Sequence, residues 1–99
     1  MNEASRFTIK RVVLVFTDVV SSTALYDEAG DGPALDIVRE HFKVLFSAFA
    51  AKGRIVKTIG DAVMGAFTNG EDAILAAADA LDKLVGRVRR PDGTPLQVR

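Results

Sequence analysis

Asp18 and Asp61 occupy unlike but complementary settings. Asp18 closes the apolar run Val12-Val13-Leu14-Val15-Phe16-Thr17, and Asp61 follows a glycine in Lys57-Thr58-Ile59-Gly60-Asp61-Ala62-Val63-Met64. A carboxylate at the end of a buried strand is well placed to hold a hard cation such as Mg²⁺, which takes oxygen ligands and keeps phosphates and waters as the rest of its shell. Each aspartate alone has a plainer explanation. Asp18 suits the cap of a following helix, and Asp61 beside Gly60 suits an ordinary hairpin bend. Their joint presence favours a metal site.

The elements that must position them follow from periodicity. The valine-rich run of residues 12–16 predicts a strand covered on both faces or central in its sheet. Val19 to Ala29, opening with Ser21, Ser22 and Thr23 and stopping at Gly30, predicts a short helix directly after it. A longer helix begins near Pro33, with Leu35, Val38, Phe42, Leu45, Phe46 and Phe49 as its buried stripe and Gly53 as its terminator. Arg54–Thr58 and Ala62–Phe67 predict a hairpin with Gly60 at the bend. Asn69, with Asp72 three residues on, reads as the cap of a third helix whose buried stripe is Ile74, Ala77, Ala78, Leu81, Leu84 and Val88. Pro91-Asp92-Gly93 then makes a turn, and Leu96-Gln97-Val98-Arg99 begins an alternating strand.

Strand, two helices, hairpin, helix and strand start is the order of an α+β, ferredoxin-like split βαβ sandwich with one additional helix, cut short at the C-terminus. In that topology the first strand runs antiparallel to the third. The end of the first, carrying Asp18, therefore meets the start of the third, carrying Asp61.

Composition narrows the function classes. The 99 residues, 48% hydrophobic and 26% charged, predict a single globular domain over residues 1–99, with residues 1–10 as a lead-in. A chain this short buries a modest share of its surface, so an exposed apolar sheet face seeking a second copy is expected. Thirteen basic residues against thirteen acidic ones leave no net field for nucleic acid or an anionic membrane. The absence of cysteine excludes disulfides and thiolate metal sites and suits a cytoplasmic protein. No apolar stretch approaches the roughly 20 residues that span a bilayer.

At this point the sequence resembles the class III nucleotidyl cyclases, the catalytic domains of adenylyl and guanylyl cyclases, in their amino-terminal portion. The residues that carry the resemblance are Phe16-Thr17-Asp18-Val19-Val20-Ser21-Ser22-Thr23 and Lys57-Thr58-Ile59-Gly60-Asp61-Ala62-Val63-Met64-Gly65-Ala66-Phe67. The resemblance implies conversion of ATP to 3′,5′-cyclic AMP and pyrophosphate, with Asp18, Asp61 and the backbone carbonyl of Val19 holding two Mg²⁺ or Mn²⁺ ions. Two cations roughly 3.5–4 Å apart stabilise the attacking and leaving oxygens together, which is why that chemistry needs paired carboxylates. It further implies that backbone amides around Val20 to Thr23, with Ser21, Ser22 and Thr23 among them and at a helix amino terminus, receive the β- and γ-phosphates. Lys57 matches the purine-contacting position and favours ATP over GTP. It would serve the partner's site in a homodimer with two equivalent sites. The family's domain is considerably longer than this chain, and its second purine contact and the asparagine and arginine that stabilise the transition state lie in the distal part. This chain alone is therefore expected to bind without turnover.

The other chemistry-bearing residues have ordinary explanations. Ser21, Ser22 and Thr23 are as well explained by capping as by phosphate binding. His41 is expected at the surface, Phe42, Phe46, Phe49 and Met64 in the core, and the arginines near position 89 in a solvated loop. The competing function is a catalytically inactive cyclase-like module kept for dimerisation or nucleotide sensing. A diguanylate cyclase is disfavoured because no Gly-Gly-Asp-Glu-Phe segment is present.

Overall fold

The structure, a computed structural model, describes residues 11–99. The lead-in expected over residues 1–10 lies outside the described residues. The elements in chain order are β1 (Val13–Thr17), α1 (Ser22–Ala29), α2 (Asp31–Ala50), β2 (Arg54–Ile59), β3 (Ala62–Phe67) and α3 (Gly70–Arg87). The strands form an antiparallel sheet in the order β1-β3-β2. The C-terminal residues start a further antiparallel pairing at the end of β1: Asp18 N–H donates to the Arg99 carbonyl at 2.7 Å, Arg99 N–H to the Asp18 carbonyl at 2.9 Å, and Val20 N–H to the Gln97 carbonyl at 2.8 Å. The molecule is an α+β split βαβ unit with one extra helix, as its pattern of elements implies.

Local chemistry fixes the ends of these elements. The β2–β3 hairpin closes at the pair Ile59 and Ala62, and Gly60 takes the left-handed φ of 59° that a residue without Cβ adopts at little cost. Asn69 caps α3 as expected: its Oδ1 accepts the Asp72 N–H at 2.8 Å, and its Nδ2 donates to the Asp72 carboxylate at 3.2 Å. The Asp92 carboxylate tightens the turn before the last segment by accepting both the N–H and the hydroxyl of Thr94.

The helices cover one face of the sheet only. Val13 and Val15 pack toward the buried cluster that includes Val63, Phe67, Leu45, Phe49 and Leu84. The alternate residues Val12, Leu14 and Phe16 face outward, Phe16 with 58% of its surface exposed. The continuous apolar run of β1 thus belongs to a strand covered on one side, whose outer residues await something other than these helices. Phe49 of α2 meets Phe67 of β3 edge-on, with ring centroids 5.5 Å apart. Gly65, between them on β3, makes this possible, because a Cβ there would sit 2.6 Å from the Phe49 ring.

The helix stripes are rotated from their expected positions. In α2 the buried residues are Ala34, Val38, His41, Val44, Leu45, Ala48 and Phe49. Leu35 and Phe46 are exposed, and Phe42 stacks on Phe46 at the margin. In α3 the buried set is Ala73, Ala76, Ala80 and Leu84, while Ile74, at 70% exposure, and Leu81 face outward. Both helices carry apolar residues over a wider arc than the packed layer covers, and small alanines line the contact face of α3. The first helix starts later than expected, at Ser22, because Val19 and Val20 are drawn into pairing with residues 97–98. Among the described residues no helix is long and apolar enough to cross a membrane.

The Phe49–Gly65–Phe67 contact gives a direct test. Gly65→Ala forces its methyl group into two aromatic rings, and overpacking of this kind costs about 1–3 kcal/mol. The urea midpoint should fall with little change in slope, since the surface exposed on unfolding is almost unchanged.

Candidate functional site

The antiparallel register of β1 with β3 pairs Thr17 with Val63. The residues just past that pair, Asp18 and Asp61, therefore emerge at one sheet edge. Their carboxyl groups lie near enough to shift each other's titration, and the backbone N–H of Val19 acts on both. The Ser22 hydroxyl, in the first turn of α1, lowers the Asp61 pKa and so stands beside that carboxyl. Four of the residues singled out in the sequence are thereby gathered at one point.

Two carboxylates can bond to each other only by sharing a proton, and their surroundings decide which one holds it. The hydrogen bond from Asp61 is the main cause holding Asp18 below the ordinary carboxylate value of 3.8, helped by the Val19 amide and the charge of Arg99. Burial is the main cause pushing Asp61 above 3.8, with the Asp18 hydrogen bond adding to it. Without a cation, Asp18 ionises first and Asp61 gives up its proton at a higher pH than an ordinary carboxyl; the pair titrates as a unit.

The donor set fits a hard divalent ion. Val19 and Val98 face each other as a bridge flanked by the bonds from Asp18 and Val20. That alternation turns the N–H and C=O of Val19 away from the C-terminal segment, toward the carboxylates. Two carboxylates and one carbonyl offer oxygen only, which suits Mg²⁺ or Mn²⁺. Among the described residues, no group of three or more His, Cys, Asp or Glu side chains forms a larger cluster that could hold a metal ion.

Ser21 has φ 58°, ψ 44°, and is the non-glycine residue with left-handed backbone among those described. It stands at the N-cap of α1, but its side chain makes no capping bond there. The N–H groups of Ser21, Ser22 and Thr23 have no backbone partner among the described residues, whereas that of Val20 is taken by Gln97. The available amides of this turn are thus the three following Val20. Nor is Asp18 the helix cap.

Lys57 lies elsewhere. Ile55 and Lys57 are two positions apart and in a regular strand would share a face. An irregularity between them pairs Ile55 with Gly65 but Lys57 with Met64, leaving Val56 as the extra residue. Ile55 consequently packs against the core, while Lys57 stands in one row with Met64 and Phe16 on the open face. It is two strands away from Asp18, about 10 Å in lateral spacing alone. The structure brings Asp18, Val19, Ser22 and Asp61 together and keeps Lys57 apart from them.

Three residues near the site are not among those the sequence pattern assigns to it. His41 is not at the surface but wholly buried on α2, with Nδ1 3.2 Å from the Val38 carbonyl. A signal for its place exists, because Ala34, Val38, His41, Leu45 and Ala48 are spaced four and three apart, the period of one helix face. Arg99 pairs with Asp18 through the backbone and brings its charge to bear on that carboxylate. Arg90 is not a freely solvated loop residue, since its side chain is 13% exposed and reaches the Glu28 carboxylate at 3.4 Å.

Comparison with solved structures places this arrangement. The chain is similar to an adenylate cyclase of Trypanosoma brucei solved in its monomeric state, at 31% identity and a TM-score of 0.66, over 75% of this chain and 32% of that one. It is equally similar in fold to a bacterial light-regulated adenylyl cyclase, at 27% identity and a TM-score of 0.66, over 75% of this chain and 24% of the other. It thus spans a third or less of those proteins. No family model and no curated protein matches it. The class III nucleotidyl cyclase resemblance carried by the Asp18 and Asp61 motifs extends to the fold that holds them.

Two outcomes follow. Ser21→Gly relieves a left-handed conformation that costs an L-residue roughly 1–2 kcal/mol, partly offset by the greater freedom of glycine when unfolded. A net gain of up to about 1 kcal/mol should appear in urea unfolding. His41 is held below its ordinary pKa of 6.5 chiefly by burial, against the pull of the Val38 carbonyl and Asp18. Unfolded chains take up the proton near 6.5 and the folded one resists, so this contribution is complete above 6.5 and is lost as pH falls below it. Asp61, with its raised value, contributes in the opposite sense at lower pH. The difference between wild type and His41→Phe, followed by urea unfolding from about pH 7.5 to 5.5, isolates the histidine and should shift steadily in favour of the variant as pH falls.

Proposed function

We propose that this chain is the metal- and triphosphate-binding part of an adenylyl cyclase-type domain that converts ATP to 3′,5′-cyclic AMP and pyrophosphate. The observation that carries the reading is the β1–β3 register, which brings Asp18 and Asp61 to one sheet edge where each shifts the other's titration. Like charges this close are relieved by a proton or by a cation, and a site of oxygen donors alone selects a hard one. Asp18, Asp61 and the Val19 carbonyl would hold two Mg²⁺ or Mn²⁺ ions, which supply charge neutralisation for an in-line displacement.

The chain's own groups account for the triphosphate end of substrate binding. The free amides of Ser21, Ser22 and Thr23 face the β- and γ-phosphates at a helix amino terminus. Arg99 adds positive charge beside the carboxylates. The ribose 3′ oxygen, bound next to the carboxylates, attacks the α-phosphorus as the bond to the pyrophosphate oxygen breaks, and its proton passes to solvent. Lys57 selects the purine. Its distance from Asp18 within one copy and its place on the apolar open face, beside the exposed Val12, Leu14 and Phe16, support a homodimer in which each lysine serves the partner's carboxylates.

Binding and turnover can be tested separately. Mn²⁺ with ATP should raise the melting temperature of the chain, because both bind only the native state. Asp18→Asn combined with Asp61→Asn should abolish the rise, and Lys57→Glu should weaken ATP relative to GTP. A shift that survives loss of both aspartates would place the nucleotide elsewhere. Cyclic AMP formed by a longer protein containing this chain, and lost in Asp18→Asn, would establish the enzyme; binding without product in that protein would favour the nucleotide-sensing module.

A further inference from the structure

We propose that Arg90 and Glu28 form a latch that sets the direction of α1, making both of them positioning residues for the triphosphate-binding amides of Ser21, Ser22 and Thr23. The Arg90 guanidinium meets the Glu28 carboxylate at 3.4 Å across 62 positions of sequence. Its side chain is 13% exposed where that of Glu28 is 51% exposed, so the arginine is the fixed member and the glutamate comes to it. The fixity has a visible source. Arg90 stands in a tight hairpin: its N–H donates to the Thr94 carbonyl at 2.8 Å and its carbonyl accepts the Gly93 N–H at 2.9 Å. Behind it Leu96 N–H donates to the Val88 carbonyl at 3.1 Å, and both of those side chains are buried. Asp92, the acid within the turn, is occupied by the N–H and hydroxyl of Thr94. Glu28 is therefore the carboxylate that Arg90 bonds among the described residues.

Both ends of α1 are tied to this one segment. At the entry the Val20 N–H donates to the Gln97 carbonyl at 2.8 Å, and in the last turn Glu28 reaches Arg90. Between the two ties lies a groove of about 570 Å³, with Ser21, Ala24 and Glu28 along its α1 wall and Arg90, Thr94 and Gln97 along the other. Those α1 positions are three and four apart, so one face of the helix looks into open space where packed side chains would otherwise fix its angle. The opposite side is held by Leu25, which is fully buried, and by α2, the one helix or strand whose backbone comes close to α1. A rod supported along one side and pinned at its entry can still swing at its far end, which is where Glu28 stands. Because the amide directions follow the helix axis, such a swing re-aims the N–H groups of Ser21, Ser22 and Thr23. The left-handed Ser21 likewise persists only where its surroundings over-determine it. A half-exposed ion pair adds little to overall stability, so the latch acts on aim. Its consequence for nucleotide binding rests on the reading given under Proposed function.

Amide exchange in metal-free buffer tests the latch. Arg90→Met and Glu28→Gln should each quicken exchange at Leu25 and Gly30, whose N–H groups bond the Ser21 and Tyr26 carbonyls, and leave Leu45 on α2 and Leu84 on α3 unchanged. The double variant should be no faster than the faster single, because the two residues act through one contact. Calorimetry then reads the aim. Affinity for Mn²⁺ with ATP should fall about tenfold in each single variant, the scale of one lost hydrogen bond to a charged group, while affinity for Mn²⁺ alone holds. Unchanged exchange at Leu25, additive quickening in the double variant, or a quickening shared equally by Leu45 and Leu84 would overturn the latch. A quickened α1 with unchanged affinity for Mn²⁺ with ATP would overturn the positioning role, as would an equal loss for Mn²⁺ alone. Tighter nucleotide binding in Glu28→Gln would overturn it too, since Arg90, once freed, would then touch the phosphates itself. If Arg90→Met does not fold, Glu28→Gln, a change at a half-exposed side chain, decides both measurements alone. If the wild-type chain takes up no Mn²⁺ with ATP, the function proposed falls, and exchange at Leu25 still judges the latch.

Discussion

The pairing of Thr17 with Val63 is the constraint on which the site depends. A shift of one residue in the β1–β3 register would turn every side chain of the slipped strand to the other face and separate Asp18 from Asp61. The register is held from the core side. Val13 and Val15 can meet Phe67 and Gly65 only in this alignment, and Gly65 is the position where the Phe49 ring needs an absent side chain. Packing far from the carboxylates thus determines how close they come, and apolar burial provides the energy that holds two acids together against their repulsion.

That repulsion is moderated but not removed. The Val19 amide acts on both carboxyls and the Ser22 hydroxyl on Asp61, Arg99 contributes charge, and Asp61 holds its proton to a higher pH than an ordinary carboxyl. Each device stabilises negative charge without making the site neutral. A fully compensated pair would give a cation nothing to gain, and an uncompensated one would strain the hairpin. The left-handed Ser21 is a second local cost at the same place. Strain gathered within a few residues of two coupled carboxyl groups marks this loop as a place where the chain departs from the lowest-energy choice at each position.

The topology and the meeting of the aspartates are legible in the sequence, because both follow from the order of elements and from period-two and period-3.6 patterns, which survive any detail of packing. Strand and helix boundaries are legible where Gly30, Gly60 and the Asn69–Asp72 pair mark them. What is not legible depends on neighbours distant in sequence. Which arc of α2 and α3 is buried is decided by the layer each helix lies against, so Ile74 and Leu81 read as core and are not, while the alanines of α3 carry the contact. His41 reads as a surface residue when its type is allowed to outweigh its spacing. The side of the sheet on which Lys57 stands follows from the extra residue at Val56, which period two cannot foresee. No residue pattern singles out Arg99 or the depth of Arg90, which pairs with Glu28 across the fold.

The two faces of the sheet have different tasks. The covered face is closed by helices, and its packing holds the β1–β3 register that brings the two carboxylates to one edge. The open face carries Val12, Leu14 and Phe16 in a row that ends near Asp18, with Lys57 standing on the edge strand. Under the function proposed, a nucleotide bound at the carboxylates would project its base over apolar surface that none of the described elements covers. Its purine would lie closer to whatever packs on that face than to this copy's own lysine. A site split in this way lets one event, the covering of the open face, both bury the apolar row and exclude water from the phosphates. Were a second copy to cover that face, as proposed, assembly and substrate binding would share an interface, and the same contacts would lower the local dielectric in which the charges of Asp18, Asp61 and Arg99 act.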